Sequence, residues 1–293
     1  MRINTNISSM IAIENGTANS INSTKSLEKL SSGLRINKAS DDASGLAIAD
    51  KLRTQKNSLI QSADNANSAI ALLQITDRAM GEQSNILDIV KSKLLQARTA
   101  TTSDAGRESI AKDINKLLTQ FNSIANQTNY NGVQLLQQSK DSQDKASKLD
   151  FQIGETSTDI ISTSNAIQAN TNGLGIQDNG ITKLGTVLTA TAGDGSLLTS
   201  DRAATYLPVI DDSITDLNTM RSDTGSTQSQ IESSLRNILT ATTNIAAAES
   251  VIRDVDYAQE TANFNKHSII GNAATYAQTQ ANALPDDVLK LLN

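Results

Sequence analysis

The chain has 293 residues and a net charge of −6, with no cysteine, no tryptophan, three phenylalanines and four tyrosines. The missing cysteines exclude disulfides and thiolate metal sites, and the acidic balance, with no Lys/Arg block interleaved with aromatics, excludes nucleic acid as a partner. With few large rings and 38% hydrophobic residues, the core must be assembled from many small Leu, Ile, Val and Ala contacts, as in long packed helices.

At the N-terminus, Met1-Arg2-Ile3-Asn4-Thr5-Asn6-Ile7 places a polar residue every one or two positions. That is not the apolar run of a cleaved secretory signal. Nor does any stretch approach the roughly 18 apolar residues of a membrane span, so no membrane insertion is expected. A first helix is predicted over about residues 5–35, with Ile3, Ile7, Met10, Ile21, Leu27, Leu30 and Leu34 on a loose stripe. Glu14 and Thr17 interrupt the stripe and leave the helix marginal in isolation. Ser31-Ser32-Gly33 and residues 37–42 form a break, after which Ser40 is expected to cap a new helix, with Asp41 and Asp42 at the positive end of its dipole.

The next segment carries a coiled-coil-like seam. Leu59, Ala63, Ala66, Ile70, Leu73, Asp77, Met80, Ser84, Leu87, Lys91 and Leu94 alternate steps of four and three. A turn at residues 101–106 leads to a shorter helix on Ile110, Ile114, Leu117, Phe121 and Ile124, expected to lie antiparallel to the first. Asn131-Gly132 is a tight-turn dipeptide. Beyond it, residues 133–136 and the alternating 149–153 read as short strands, with a small β region reaching about Ile160-Ile161. Dense turn signals over 164–200 (Asn172-Gly173, Gly175, Asn179-Gly180, Gly193-Asp194-Gly195) predict an irregular surface connection.

Helix returns near Ser200, with Pro208 tolerable only near its first turn or as a kink. A second seam follows on Ile210, Ile214, Leu217, Arg221, Thr224, Gln228, Ile231, Leu235, Ile238, Thr242, Ile245, Glu249 and Ile252. The last segment steps Val251, Val255, Ala258, Ala262, Asn265, Ile269, Asn272, Tyr276, Thr279 and Ala283, a row rich in Ala and Asn that suits close helix contact. Pro285 is expected to end or kink it. The fold class is therefore mainly α, a long coiled-coil-like bundle formed by both chain ends, with a small β-hairpin region. Neither half has the apolar content for a core alone. The ends are expected to pack together, and any leftover stripe to find another molecule, as in a polymer subunit.

Catalytic chemistry is poorly supplied. His267 is the one histidine and lacks the spaced partners of a zinc site, so its bland reading is a packed or solvated helix residue. No His-Glu-x-x-His, P-loop or Gly-x-Ser-x-Gly motif occurs. Asp41-Asp42 and Asp211-Asp212 sit near helix starts, where dipole compensation explains them, and Asp286-Asp287 reads as a solvated turn. No catalytic residue, metal ligand or cofactor is assigned, and an enzyme is not expected.

Three blocks then carry a resemblance. They are Leu30-Ser31-Ser32-Gly33-Leu34-Arg35-Ile36-Asn37 through Asp41-Asp42-Ala43-Ser44-Gly45-Leu46-Ala47-Ile48-Ala49; Thr128-Asn129-Tyr130-Asn131-Gly132-Val133-Gln134-Leu135-Leu136; and Ala246-Ala247-Ala248-Glu249-Ser250-Val251-Ile252-Arg253-Asp254-Val255-Asp256-Tyr257-Ala258 with Ala281-Asn282-Ala283-Leu284-Pro285. In this order, over about 1–160 and 200–293, the chain resembles bacterial flagellin.

The resemblance implies a self-assembling subunit of the extracellular flagellar filament used for swimming. Residues 1–44 would be an N-terminal inner helix and connector, and 255–293 the C-terminal inner helix. Residues 45–163 and 201–254 would form the surrounding helical shell with its hairpin. The 164–200 connection takes the place of the large outer domains that family members usually carry. Ile3, Ile7, Met10, Ile21, Leu27, Leu30, Val255, Ala258, Ala262, Ile269, Tyr276 and Ala283 would pack the filament core. Leu59, Ile70, Leu73, Met80, Leu87, Leu94, Ile210, Ile214, Leu217, Ile231, Leu235, Ile238 and Ile245 would form the subunit's own seam. Implied partners are further copies, hook-associated and cap proteins, and an export chaperone on the C-terminal region, with export by the flagellar type III route. One departure stands out in the segment that the family's Toll-like receptor recognises. Ile89 stands where arginine is usual and Lys93 where an apolar residue is usual, with Asp88 and Gln96 alongside, which implies weak or absent receptor activation. The rival readings are a hook–filament junction protein, flagellin-like at its ends, and a coiled-coil interaction module.

Overall fold

The structure is a computed structural model that describes residues 5–137, 148–163, 167–176 and 198–292, with residues 284–292 described as backbone alone. Among the described residues are five helices: α1 (Ile7–Ser32), α2 (Ala43–Arg98), α3 (Asp104–Gln127), α4 (Ser200–Arg253) and α5 (Tyr257–Leu292). Between α3 and α4 lie β1 (Asn129–Tyr130), β2 (Val133–Gln134), β3 (Asp150–Gln152) and β4 (Ile160–Ser162), paired antiparallel as β1–β2 and β3–β4. The chain divides into two compact units, one of residues 1–57 with 242–293 and the other of residues 58–241.

Local chemistry sets the boundaries. Asn6 caps α1 by accepting the Ser9 N–H at 3.1 Å, and Gly33 ends it in the left-handed region (φ 73°), donating its N–H to Lys29 O. The α2 cap is Asp42 rather than Ser40: its Oδ1 accepts the Gly45 N–H at 2.8 Å. Asp41 instead holds the preceding turn, its Oδ2 accepting the N–H groups of Asn37 and Lys38. Two carboxylates in sequence thus have different tasks, and the serine before them has neither. Ser103 caps α3, while the Arg107 guanidinium reaches back to the carbonyls of Ala97 and Thr99 at the end of α2. Asn131 and Gly132 both have positive φ, which the tight turn between β1 and β2 requires. Both prolines of the last two helices lie within them. α4 continues through Pro208 in its third turn, and α5 runs on to Leu292 past Pro285, so Asp286 and Asp287 are helical.

The core of the 58–241 unit is one continuous cluster drawn from α2, α3, the strands and α4. On α2 the buried row runs Ala69, Leu73, Thr76, Met80, Gln83, Leu87, Val90, Leu94 and Ala97. Leu73, Met80, Leu87 and Leu94 fall on the predicted seam. The companion row lies one residue earlier than predicted, leaving Leu59 and Ile70 half-buried at its margin. The same shift occurs on α4, where Ile210, Leu217, Ile231 and Ile238 are buried together with Ser213, Thr224 and Thr227, while Ile214 and Leu235 are half-buried. Asp77 and Arg221, read as interruptions, are flanking positions that pair with each other at 3.0 Å, as do Lys91 and Asp211 at 2.6 Å.

The described part of the expected surface connection is not at the surface. Ile167, Ala169, Asn170, Thr171, Leu174 and Ile176 are all buried. Irregular backbone can be buried only where its polar groups find partners, and here they do. Gln83 Nε2 donates to Ala169 O (2.8 Å) and Phe121 O (3.2 Å). Asn122 brackets Thr171, and Ser213 Oγ donates to Leu174 O. A Cβ at Gly173 would collide with the Gln168 carbonyl, so the turn closes only with glycine. Asn179-Gly180 and Gly193-Asp194-Gly195 lie outside the described residues.

Candidate assembly surface

Within the unit made of the two chain ends, α1 and α5 pack along each other. The facing rows repeat in steps of three and four, as helix pairing requires, but their residues are small or polar. On α1 they are Ser9, Ala12, Gly16, Asn19, Ser23 and Ser26; on α5 they are His267, Gly271, Ala274, Gln278 and Ala281. Glycine and alanine bring the backbones close: a Cβ on Gly16 would lie 3.7 Å from that of Ala274. Asn19 brackets His267, donating Nδ2–H to its main-chain carbonyl at 2.6 Å and placing Oδ1 2.9 Å from its Nδ1. Because Oδ1 can only accept, Nδ1 is the donor in this contact. Asn6 Nδ2 donates to Ala281 O near the far end. A shallow groove of about 580 Å³ runs beside this contact, lined by Gly16, Asn19, His267, Gly271 and their neighbours.

The large apolar side chains point the other way. Ile7, Met10, Ile11, Ile21 and Leu27 on α1, and Tyr257, Ile269, Ile270 and Tyr276 on α5, are exposed, reaching 69% at Ile269 and 74% at Tyr276. Ala258 and Ala262 are also exposed, whereas Leu30, Val255 and Ala283 are half-buried. Ile3 lies outside the described residues. Most of the predicted stripe residues therefore face away from the α1–α5 contact, whose rows of small residues carry no signal of apolar bulk. Ile245 is half-buried in the same unit, near the Lys56–Glu249 ion pair at 2.6 Å.

In the other unit, Asp88, Ile89 and Gln96 are exposed on α2, and Lys93 pairs with Asp113 of α3 at 2.9 Å. Hydrogen bonding from that lysine holds the Asp113 carboxyl below its ordinary range. Among the described residues no cluster of His, Asp and Glu is arranged to hold a metal ion, and no helix is long and apolar enough to cross a membrane.

An inside-out helix pair of this kind, made from both chain ends, is matched by two family models. Residues 3–141 match the bacterial flagellin N-terminal helical region, and residues 207–292 match the bacterial flagellin C-terminal helical region. The chain belongs to the bacterial flagellin family. It is 36% identical to a flagellin of Bacillus subtilis and 30% identical to the flagellar filament 33 kDa core protein of Treponema phagedenis, each match covering 100% of both chains. Among solved structures it is similar to the crystal structure of Bacillus cereus flagellin, at 26% identity and a TM-score of 0.48, over 64% of this chain and 94% of that one. As a flagellin, the chain is a structural protein that polymerises into the flagellar filament of swimming motility. Self-association is thus its central chemistry, and an extracellular filament its setting.

Proposed function

We propose that subunits bury one another through the outward rows of α1 and α5, with Ile7, Met10, Ile21, Leu27, Ile269 and Tyr276 as the main contacts. Leu30, Val255, Ala258, Ala262 and Ala283 fill the space between them, and Ile3, outside the described residues, is assigned to the same packing. The observation that carries this is the inversion of the pair, with Ser, Gly, Ala and Asn inside and Ile, Met and Tyr outside. So many large apolar side chains exposed on one helix pair mark an interaction site. In a lone subunit the pair gains little from its own small-residue contact, so ordering of the ends is coupled to assembly. Chains lacking residues 1–32 or 257–293 should fail to polymerise while the 58–241 unit stays folded. Filaments from either trimmed chain would end this reading.

In the same scheme, residues 1–44 and 255–293 form the inner layer of the filament. Residues 45–163 and 201–254 form the shell around it, with the seam of Leu73, Met80, Leu87 and Leu94 against Ile210, Leu217, Ile231 and Ile238 holding each subunit together. The chain leaves the cell unfolded by the flagellar export route, its C-terminal segment held by a chaperone, and meets hook-associated and cap proteins at the filament ends. It has no catalytic activity. The segment around Asp88, Ile89, Lys93 and Gln96 activates the flagellin-sensing Toll-like receptor weakly or not at all: Ile89 supplies no guanidinium, and Lys93 is occupied by Asp113. Potent activation of receptor-expressing cells by purified monomer contradicts that assignment.

A further inference from the structure

Between Ser9 and Ser26 on α1, and between His267 and Ala281 on α5, the facing rows carry no large apolar side chain to fix their register, and half-buried Leu30 and Phe264 continue them only toward the α4–α5 joint. Gly, Ser and Ala present no knob that would block a slide along the helix axis. Besides the Asn6–Ala281 bond at the far end, two features resist such a slide. One is the Asn19–His267 bracket partway along. The other is the joint where α1 ends at Gly33 and α4 gives way to α5 at Asp254.

At that joint the Arg35 N–H donates to Arg253 O at 2.7 Å, and the Val255 N–H to Gly33 O at 3.0 Å, forming an antiparallel bridge between Leu34 and Asp254. The Arg35 guanidinium adds a bond from Nη2 to Ile252 O at 2.6 Å. Ile252 and Arg253 lie in the last turn of α4, whose carbonyls have no partner within the helix and carry the negative end of its dipole. Arg35 therefore caps α4 with its main chain and with its cation. The contacts further out follow in order from this bridge: Asn19 with His267, then Gly16 with Ala274, and Asn6 with Ala281 near the ends.

The geometry points to Arg35 as the positioning residue that sets the register of α1 on α5, and through it the arrangement of the outward Ile, Met and Tyr rows. The inference rests on the reading of those rows as the assembly surface. Removing the guanidinium leaves one main-chain bond from Arg35 and lets the pair slide, so the apolar rows of the two helices no longer present one fixed pattern to the next subunit.

The absence of cysteine supplies the probe. The 3.7 Å separation of a Cβ on Gly16 from that of Ala274 lies close to the roughly 3.8 Å typical of a disulfide. Full-length chain carrying Gly16→Cys and Ala274→Cys, seeded and then oxidised, should cross-link within each subunit. Adding Arg35→Ala should lower the cross-linked fraction about threefold and raise the critical concentration for seeded growth about fivefold, the scale of one exposed charge-assisted bond. Arg35→Lys, which keeps a charged donor, should restore most of both. Thermal melting of the 58–241 unit should not change. Wild-type cross-linking in Arg35→Ala overturns the proposal, whether or not polymer yield falls, because register would then be independent of the guanidinium. If Arg35→Ala chain does not fold, Arg35→Gln is read by the same two numbers. Filaments from chains lacking α1 would instead refute the assembly reading, and the cross-link would still report register.

Discussion

Replacing Ile269 with alanine separates assembly from folding. Ile269 is 69% exposed on α5, and alanine is the better helix former, so the substitution leaves local helicity intact. It removes three carbons, worth about 0.8 kcal/mol each on full burial, or roughly 2.4 kcal/mol. Only the exposed share remains to be buried by a neighbouring subunit, which limits the loss to about 1.7 kcal/mol per contact. At about 1.4 kcal/mol per tenfold, the critical concentration for growth on seeds should rise by roughly 15-fold. Sedimentation of polymer across a concentration series measures it, with thermal melting of the 58–241 unit as the control. An unchanged critical concentration, or an equal loss of melting temperature, would refute the claim that this side chain acts between subunits.

Leu87→Ala should show the opposite pattern. The side chain is fully buried in the 58–241 unit, and urea denaturation should report a loss of about 3 kcal/mol. Gly33→Ala places a Cβ at φ 73° and 3.1 Å from the Tyr257 hydroxyl, so the α1 terminus should loosen by about 1 kcal/mol or more, read by exchange of the amide at position 33 in the two chains. Hydrogen bonds from the Lys38 and Asn37 N–H groups hold the Asp41 carboxyl below its ordinary value. Its contribution to the 37–42 turn should therefore be complete at neutral pH and down to the unfolded carboxylate range, and be lost as pH falls through the lowered folded value. Asp41→Asn should remove that pH dependence from the Asn37 and Lys38 amide shifts.

Sequence pattern located every helix, the Asn131-Gly132 turn and β2, β3 and β4, but not β1, which precedes the turn. It misplaced half of each seam by one residue, and the reason is chemical. Ile70 and Ile214 are bulkier than Ala69 and Ser213, so a search for apolar bulk selects them. The structure instead buries the smaller neighbour and leaves the larger one at the margin. Thr76 and Thr224 tolerate burial because their hydroxyls donate to Leu72 O and Met220 O within their own helices. Residues 167–176 were illegible for a related reason: the groups that satisfy them, Gln83, Asn122 and Ser213, come from three distant helical positions. The outward Ile and Tyr rows were visible as stripes. Their true inner partner, the Ser9–Ser26 row, carried no hydrophobic signal.

The division of the chain also has a temporal consequence. One unit uses only residues 58–241, whereas the other needs both 1–57 and 242–293. When an exported chain refolds, the first can close from one continuous stretch. The second must bring together two segments separated by the whole of the first, a long-range closure that is slow to form. The paired surface is therefore the later of the two to appear. A chain still folding does not display it, and folding order by itself delays self-association.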